Sequence, residues 1–437
     1  LSERKLFAVI GRPVLHSRSP DLFAAAFSQM GFGADYTRII ADTASQAVEI
    51  AREIGVSGFN VTAPFKEEVL EHVDSLDDVC GHVGAANTIV AEDGLLHAHN
   101  TDWIGVLKAL RNNECDPLGK KAVVLGAGGA GRAAAWGLLR GGARDVIIAN
   151  RSEERARTAA RNLGCMACSL NEVGSALDDA DILVSCLPAG VTCVRPEWLR
   201  RELCVLEANY SRPLLSESSR AAGCRVIDGH EWLVWQALAG LNLFTHRECE
   251  KSVMEKSLLA ARGWQNIALV GFMGSGKSTL GRLLAENLNM RFVDCDNEVE
   301  RRSGRKIFEM FKEQRDYGQS NFRCLEKEVI KQAVSDEGAV LALGGGALLD
   351  EQNLKLIGLR SLVIWLWTSL PTALARAGDG TRPLLEGYSA YGEPGKLLSA
   401  RLPGYTAAAD LVVGTKFGNP ENLARKIENE IRQAVQS

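Results

Sequence analysis

Lys277 and Ser278 close the run Gly271-Phe272-Met273-Gly274-Ser275-Gly276-Lys277-Ser278-Thr279. A lysine after such a loop supplies a point charge for the β- and γ-phosphates of a nucleotide, and the adjacent serine hydroxyl suits a Mg2+ ligand. The glycines let backbone N–H groups turn inward around an anion with no Cβ in the way. Downstream, Asp294-Cys295-Asp296 offers carboxylates at i and i+2, which point the same way on a strand end, as a metal or hydroxyl site requires. Gly344-Gly345-Gly346 follows an apolar run, and glycines there mean either a close approach to the backbone or a flexible turn. Arg376, Arg382 and Arg401 are spaced as phosphate or carboxylate clamps would be, although surface arginine is the commoner reading of any one of them.

A second glycine run, Gly126-Ala127-Gly128-Gly129-Ala130-Gly131-Arg132, sits between the apolar stretch 120–125 and an alanine-rich helix. A further strand, 145–149, arrives at dinucleotide-fold distance and ends in Asn150-Arg151-Ser152, with Arg155 one turn on. An NAD site wants a carboxylate here for the ribose 2′-hydroxyl; arginine and serine suit a 2′-phosphate, so NADP(H) is the expected cofactor. Further back, polar residues gather where strands end: Asn60 to Lys66, Asn87-Thr88 and Asn100-Thr101-Asp102. Ser19 and Pro20 suit the N-cap and first position of a helix running to Met30, which leaves the Ser17 hydroxyl for a ligand. Gln236 is polar in an otherwise apolar helix, and its neighbours suggest that it faces a ligand.

These residues need scaffolds. The stretch 266–270 reads as a buried strand and 280–288 as a helix, so the first loop has the strand–loop–helix context of a phosphate-binding P-loop. Strands are expected over 5–11, 36–40, 181–187, 203–208, 340–343 and 362–367, and helices between them make an α/β protein. The chain has 437 residues, too many for one core, with 46% hydrophobic and 24% charged residues. A net charge of −4 provides no basic surface for nucleic acid or an anionic membrane. No apolar run reaches membrane-span length and no signal peptide is visible, so the cytoplasm is expected, or a plastid if an upstream transit segment has been removed. Eleven irregularly spaced cysteines argue for reduced thiols; Cys165-x-x-Cys168 has no second pair at zinc spacing. All seven histidines lie at or before His246, so the P-loop half works without imidazole.

Together the motifs resemble two families. Residues 1–262 resemble shikimate dehydrogenase through Ser17-x-Ser19-Pro20, Asn60-Val61-Thr62-x-Pro64-x-Lys66, Ala86-Asn87-Thr88, Asn100-Thr101-Asp102, the Gly126 to Arg132 loop, Asn150-Arg151-Ser152, and Asp228-Gly229 with Gln236. Residues 263–437 resemble shikimate kinase through the P-loop, Asp294-x-Asp296, Phe322-Arg323 with Glu326, the glycine triplet, Arg382-Pro383-Leu384-Leu385, and Arg401 with Tyr405. The resemblance implies a two-lobed dehydrogenase (substrate lobe about 1–104 plus 231–262, Rossmann lobe about 105–230), followed by a P-loop kinase domain with a parallel sheet.

It also implies NADPH-dependent reduction of 3-dehydroshikimate to shikimate, then ATP- and Mg2+-dependent phosphorylation of the shikimate 3-hydroxyl. Lys66 and Asp102 would be the catalytic pair, Ser17 and Ser19 the carboxylate ligands, and Thr62, Asn87, Tyr210 and Gln236 the hydroxyl contacts. Gly126, Gly128, Gly129, Ala130, Gly131, Asn150, Arg151, Ser152, Arg155 and Gly229 would hold NADP. In the kinase half, Gly274, Ser275, Gly276, Lys277, Ser278 and Thr279 would hold the phosphates. Arg376 would lie near the adenine, Arg382 on a lid, and Asp294 with Ser278 at Mg2+. Asp296 would hold the ring hydroxyls, Arg323 and Arg401 the carboxylate, with the Gly345 and Gly346 backbone near the ring. The chain departs from the families' usual residues at Glu207 to Arg212, Trp232, Leu187 to Gly190 and Gln319. The alternatives are a quinate/shikimate dehydrogenase fused to a related small-molecule kinase, and a non-catalytic metabolite sensor.

Overall fold

Strands buried on both faces read as unbroken apolar runs, and Ser361–Trp367 (SLVIWLW) is one: every residue is buried. It lies inside a parallel sheet whose strands run, in spatial order, Arg291–Asp294, Ala339–Ala342, Asn266–Val270, Ser361–Trp367, Leu411–Gly414, Ala34–Ile40 and Lys5–Gly11. The computed structural model describes residues 4–259, 263–312, 315–377 and 394–436. By contacts they form two units. The first comprises the described residues of Leu1–Pro20, Gly33–Val56 and Ala260–Gln436, the second Asp21–Phe32 and Ser57–Leu259.

In the first unit the amino-terminal strands and the P-loop strands therefore share one sheet. They also share one core, in which Val9, Leu15 and Ile40 pack with Leu269, Ile364, Leu366, Val413 and Ile427. The register sets Val412 opposite Ile39 and Val413 opposite Ile40. Around this join Thr37 Oγ1 donates to Ala409 O (2.8 Å), Trp367 Nε1 donates to the Glu53 carboxylate (2.6 Å), and Lys416 pairs with Glu49 and Glu53. The helix Pro420–Gln436 packs against the P-loop helix Lys277–Leu288 and turns Leu423, Ala424 and Ile427 inward. Glu430 follows on the same stripe and is also buried. Burial pushes its carboxyl pKa up, against the pull of the Leu15 and Val14 amides and of the charges on Arg12 and Arg38.

The second unit contains a fully parallel sheet ordered Arg225–Ile227, Cys204–Glu207, Ile182–Ser185, Lys121–Leu125, Asp145–Asn150 and Met166–Ser169. The order reverses beside Lys121–Leu125, the switch point at which such sheets bind dinucleotides. This unit also holds an antiparallel ladder, in which Thr88–Glu92 pairs with Leu95–His99 and with residues 58–60. Helix Asp102–Asn112 packs against both Gly129–Arg140 and Gly229–Thr245. Three sequence expectations are corrected here. Asp296 is not on a strand end: the strand stops at Asp294, and Asp296 lies in helix Cys295–Ser303. The thiols are not all free, since Cys115 and Cys204 form a disulfide. And Ser17 is the residue that meets the start of helix Ser19–Gln29, its Oγ accepting from Ser19 N at 3.3 Å.

The glycine turn after Lys121–Leu125 is tightest at Gly131. A Cβ on Gly131 would stand 1.9 Å from Gly126 O, whereas one on Gly128 would meet nothing within 4 Å. Gly131→Ala is therefore expected to lower stability by about 1–3 kcal/mol and to weaken NADPH binding, with Gly128→Ala within about 0.5 kcal/mol of the parent. Thermal unfolding with and without NADPH measures both.

Candidate active sites

In the first unit, the buried strand Asn266–Val270 delivers the chain into the P-loop, and helix Lys277–Leu288 leaves it with its free N–H groups facing back into the turn. Lys277 Nζ donates to Gly271 O (2.9 Å) and Phe272 O (3.0 Å), which curls the side chain over the loop. Ser278 Oγ donates to Asp294 Oδ2 at 2.6 Å. Asp294 also caps the next helix by accepting from Asn297 N at 3.3 Å. A hydroxyl and a carboxylate oxygen side by side are a donor set for a hard cation such as Mg2+.

The loop opens on a cavity of about 1010 Å³ lined by Gly274 to Thr279, Asp294, Asp296, Lys306, Gly345, Arg376, Arg401 and Thr415. Of the glycine triplet, Gly345 lines the cavity, and charged side chains crowd all three glycines. A Cβ at Gly344 would lie 2.7 Å from Asp296 Oδ1 and 2.8 Å from Glu326 Oε1; at Gly345, 2.7 Å from Arg401 Nη1; at Gly346, 2.7 Å from Arg323 Nη2. The close-approach reading of Gly344-Gly345-Gly346 thus holds, and what approaches is the set of charged groups itself. Arg323 pairs with Glu326 and does not line the cavity, although its guanidinium abuts Gly346. Burial raises the Glu326 carboxyl pKa, opposed by Arg323. Burial lowers that of Arg401, partly offset by Tyr405. Tyr405 is itself pushed up to about 12 by burial, and its hydroxyl donates to Gly345 O at 2.6 Å.

Ser275 Oγ, Glu326 Oε1 and Arg401 Nε are buried without a hydrogen-bond partner among the described residues. Such atoms around a cavity are unmet capacity for a polar ligand. Arg376 lies on the same cavity and donates to Thr415 Oγ1 (2.9 Å) and Thr415 O (3.1 Å). Arg382 lies outside the described residues. Thr415 and Lys306 were not singled out in the sequence. Thr415 had a signal, since it follows Leu411–Gly414 at the carboxyl end of a parallel strand; Lys306 had none.

In the second unit, Lys66 Nζ meets Asp102 Oδ2 at 2.5 Å. Asp102 opens helix Asp102–Asn112, and its N–H donates to Asn100 Oδ1 (3.1 Å), whose amide is tied to Ala85 O (2.8 Å). Asn87 Nδ2 donates to Thr101 Oγ1 (2.9 Å) and Gln236 Oε1 (3.1 Å), and Asn87 Oδ1 accepts from Thr101 N (2.7 Å). Asn87, Gln236 and Asp102 therefore belong to adjoining polar contacts, while Thr62 serves the neighbouring turn by accepting from Phe65 N with its carbonyl. The dinucleotide loop reaches this pair: a Cβ on Gly129 would lie 3.2 Å from Lys66 Cβ. Asn150 Oδ1 accepts from Ala127 N (3.3 Å), which ties the loop to the next strand. Ser152 caps helix Glu153–Leu163, Arg151 is exposed beside it, and Arg155 pairs with Glu67 at 3.2 Å. A helix N-terminus with two arginines and a serine fits a 2′-phosphate. Gly229 has a packing reason of its own, since a Cβ there would lie 2.6 Å from Glu207 O. Tyr210 lies against His230 with the rings tilted and their centroids 4.7 Å apart. Arg132 was not predicted as a site residue; it donates to Val83 O (2.6 Å) and Gly84 O (3.0 Å) and pairs with Glu67. Ser17 and Ser19 lie in the first unit, their hydroxyl oxygens 3.3 Å apart.

Family profiles described as the shikimate dehydrogenase substrate-binding domain and shikimate/quinate 5-dehydrogenase match residues 9–89 and 109–207, and one described as shikimate kinase matches 273–432. The chain is 36% identical over 277 residues to the NADP+ shikimate dehydrogenase of Moorella thermoacetica, covering 59% of this chain and 94% of that one. The chain belongs to the shikimate dehydrogenase family and continues into a shikimate kinase domain. The NADP+ shikimate dehydrogenase of Thermococcus kodakarensis is 34% identical over 269 residues, covering 59% of this chain and 97% of its own. Among solved structures, a shikimate dehydrogenase from Thermus thermophilus in complex with NADP(H) and shikimate has TM-score 0.53 and 32% identity, over 58% of this chain and 98% of that one. The matches support an α/β enzyme that carries a shikimate dehydrogenase and a shikimate kinase, with NADP(H), ATP and Mg2+ as cofactors.

Because the Ser278 hydroxyl and the Asp294 carboxylate stand side by side as a donor set for a hard cation, Asp294→Asn should raise the half-saturating Mg2+ concentration of the kinase reaction about 10- to 100-fold and leave the NADPH-linked reaction unchanged. Mg2+ titration of both activities in one preparation checks this.

Proposed function

We propose that this bifunctional shikimate-pathway enzyme reduces 3-dehydroshikimate at the Lys66–Asp102 pair and phosphorylates the resulting shikimate in the P-loop cavity. Residues 1–262 would carry the first reaction and 263–437 the second. The observation that carries the reading is the cavity of about 1010 Å³, where a phosphate loop and the Ser278–Asp294 oxygens share one wall space with Asp296, Gly345 and the buried Arg401. That combination suits a small polyhydroxylated acid as phosphoryl acceptor. The sheet of the second unit, with Arg151, Ser152 and Arg155 beyond its glycine loop, supports a companion reaction that makes such a molecule.

NADPH supplies the hydride, and Mg2+-bound ATP the phosphoryl group. The ammonium of Lys66, held by Asp102, is placed to give a proton to the carbonyl oxygen as it gains charge, and Asp102 keeps that ammonium oriented. Asn87 and Gln236 fix one another, and each keeps hydrogen-bonding capacity for a ring hydroxyl. In the kinase, Lys277 and the P-loop amides hold the phosphates, and Asp296 accepts the proton of the attacking hydroxyl. Arg401, poorly solvated and with an unpartnered Nε, takes the carboxylate. No helix among the described residues is long and apolar enough to cross a membrane. The cytoplasm, or a plastid if an upstream transit segment has been removed, is the compartment we propose.

Lys66→Ala should lower NADPH-linked turnover by at least about 100-fold and spare the kinase; Lys277→Ala should do the reverse. Supplying dehydroshikimate, NADPH and ATP together should yield shikimate 3-phosphate. Quinate oxidised as well as shikimate, or an activity that survives its own substitution, would sink the assignment.

A further inference from the structure

The turn that carries the catalytic lysine also carries a carboxylate that the chemistry leaves unused. Glu67 follows Lys66 and directly precedes the short 3-10 helix Glu68–His72, yet its side chain does not cap that helix. It reaches two guanidinium groups instead. Its Oε1 accepts from Arg155 Nη2 at 3.2 Å and lies 3.3 Å from Arg132 Nη2. All three residues belong to the second unit. The two arginines are held very differently. The Arg132 side chain is 13% exposed and donates to three carbonyl oxygens: Nε to Val83 O (2.6 Å), Nη2 to Gly84 O (3.0 Å) and Nη1 to Ala127 O (3.2 Å). The Arg155 side chain is 59% exposed and has no other ion pair among the described residues. Arg132 therefore anchors the carboxylate beside the glycine loop, and Arg155 is the partner that can swing away.

We propose that Glu67 is a specificity-determining residue for the cofactor: it occupies Arg155 in the cofactor-free enzyme and competes with the 2′-phosphate for that guanidinium. The proposal rests on the assignment of Arg155 to the 2′-phosphate. A phosphate monoester carries about −1.5 to −2 charges near neutral pH, more than one carboxylate, so it wins the contest. Breaking the Glu67–Arg155 pair still takes part of the binding energy, and only for a nucleotide that recruits Arg155. A cofactor with a plain 2′-hydroxyl meets no such opposition. Glu67 therefore narrows the margin by which phosphate-bearing nucleotides are preferred.

The test uses the full-length chain and two competitors of NADPH: adenosine 2′,5′-bisphosphate, which has the 2′-phosphate, and 5′-AMP, which lacks it. Glu67→Gln keeps the shape of the side chain and removes its charge. It should lower KM for NADPH and Ki for the bisphosphate about two- to fivefold, with Ki for 5′-AMP and kcat within about 1.5-fold of the parent. Arg155→Ala should raise KM for NADPH and Ki for the bisphosphate on the order of 10-fold. In the Arg155→Ala background, Glu67→Gln should shift either value less than about 1.5-fold, because both changes act through one contact. If Arg155→Ala keeps the parent KM for NADPH, the 2′-phosphate assignment is wrong and the proposal goes with it. If Arg155→Ala is impaired while Glu67→Gln leaves Ki for the bisphosphate unchanged or raises it, Glu67 is no competitor. A fall in Ki for both nucleotides alike overturns the role as well, since a loosened turn does not distinguish them. Should Glu67→Gln fail to fold, Glu67→Asp, which draws the carboxylate back by one methylene, is read in the same way.

Discussion

The first unit depends on the pairing of two short strand segments, Ile39–Ile40 with Val412–Val413. Each strand would otherwise be the edge of a parallel sheet, a row of unpaired N–H and C=O groups. Joined, they bury the aliphatic face that Val9, Ile40 and Val413 share with the P-loop strands. Backbone pairing fixes the register, and the flanking side-chain bonds from Thr37, Arg38 and Trp367 reinforce it. The amino-terminal segment is thereby part of the same core as the phosphate loop.

That rigid sheet lets the cavity above it concentrate charge. Parallel strands deliver their carboxyl ends to one side, and here they bring the P-loop, Asp294, the glycine triplet and Thr415 together. Asp296, Glu326, Arg323 and Arg401 then crowd Gly344, Gly345 and Gly346 so closely that a Cβ at any of them would displace a charged side-chain end. Orphaned polar atoms such as Arg401 Nε cost stability in the absence of a ligand and are tolerated where a ligand answers them. The second unit solves a different problem. Its Lys66–Asp102 contact is held by a relay of amides from Asn100 and Asn87, so the ion pair has a fixed orientation without a fully closed cage.

Much of this was legible in the chain itself. Both glycine loops are local devices, set by steric rules that act over a few residues, and the buried strands Lys121–Leu125 and Asn266–Val270 announce themselves as apolar runs. The chemistry-bearing residues at strand ends followed from the same logic. Asp296 was misplaced because a one-residue strand-to-helix switch after Asp294 has no periodic signature. Ser19 looked like a cap by composition, whereas the helix begins at Ser19 itself and the Ser17 hydroxyl accepts from Ser19 N, and two serines two residues apart offer no local way to choose. The Cys115–Cys204 disulfide and the buried role of Glu430 lay out of reach for another reason. Both join residues far apart in the chain, and spacing rules say nothing about such pairs.

The shared sheet also has a consequence for how the protein is made. Strands Lys5–Gly11 and Ala34–Ile40 leave the ribosome well before the strand that covers their edge and the helix that caps their loop. Until then the nascent chain carries an apolar face and an open β-edge. Closing them requires contacts such as that of Thr37 with Ala409, 372 residues apart, the kind of topology that folds slowly and draws on chaperones. Cutting the gene between its two catalytic halves would leave each product with an exposed piece of a common core.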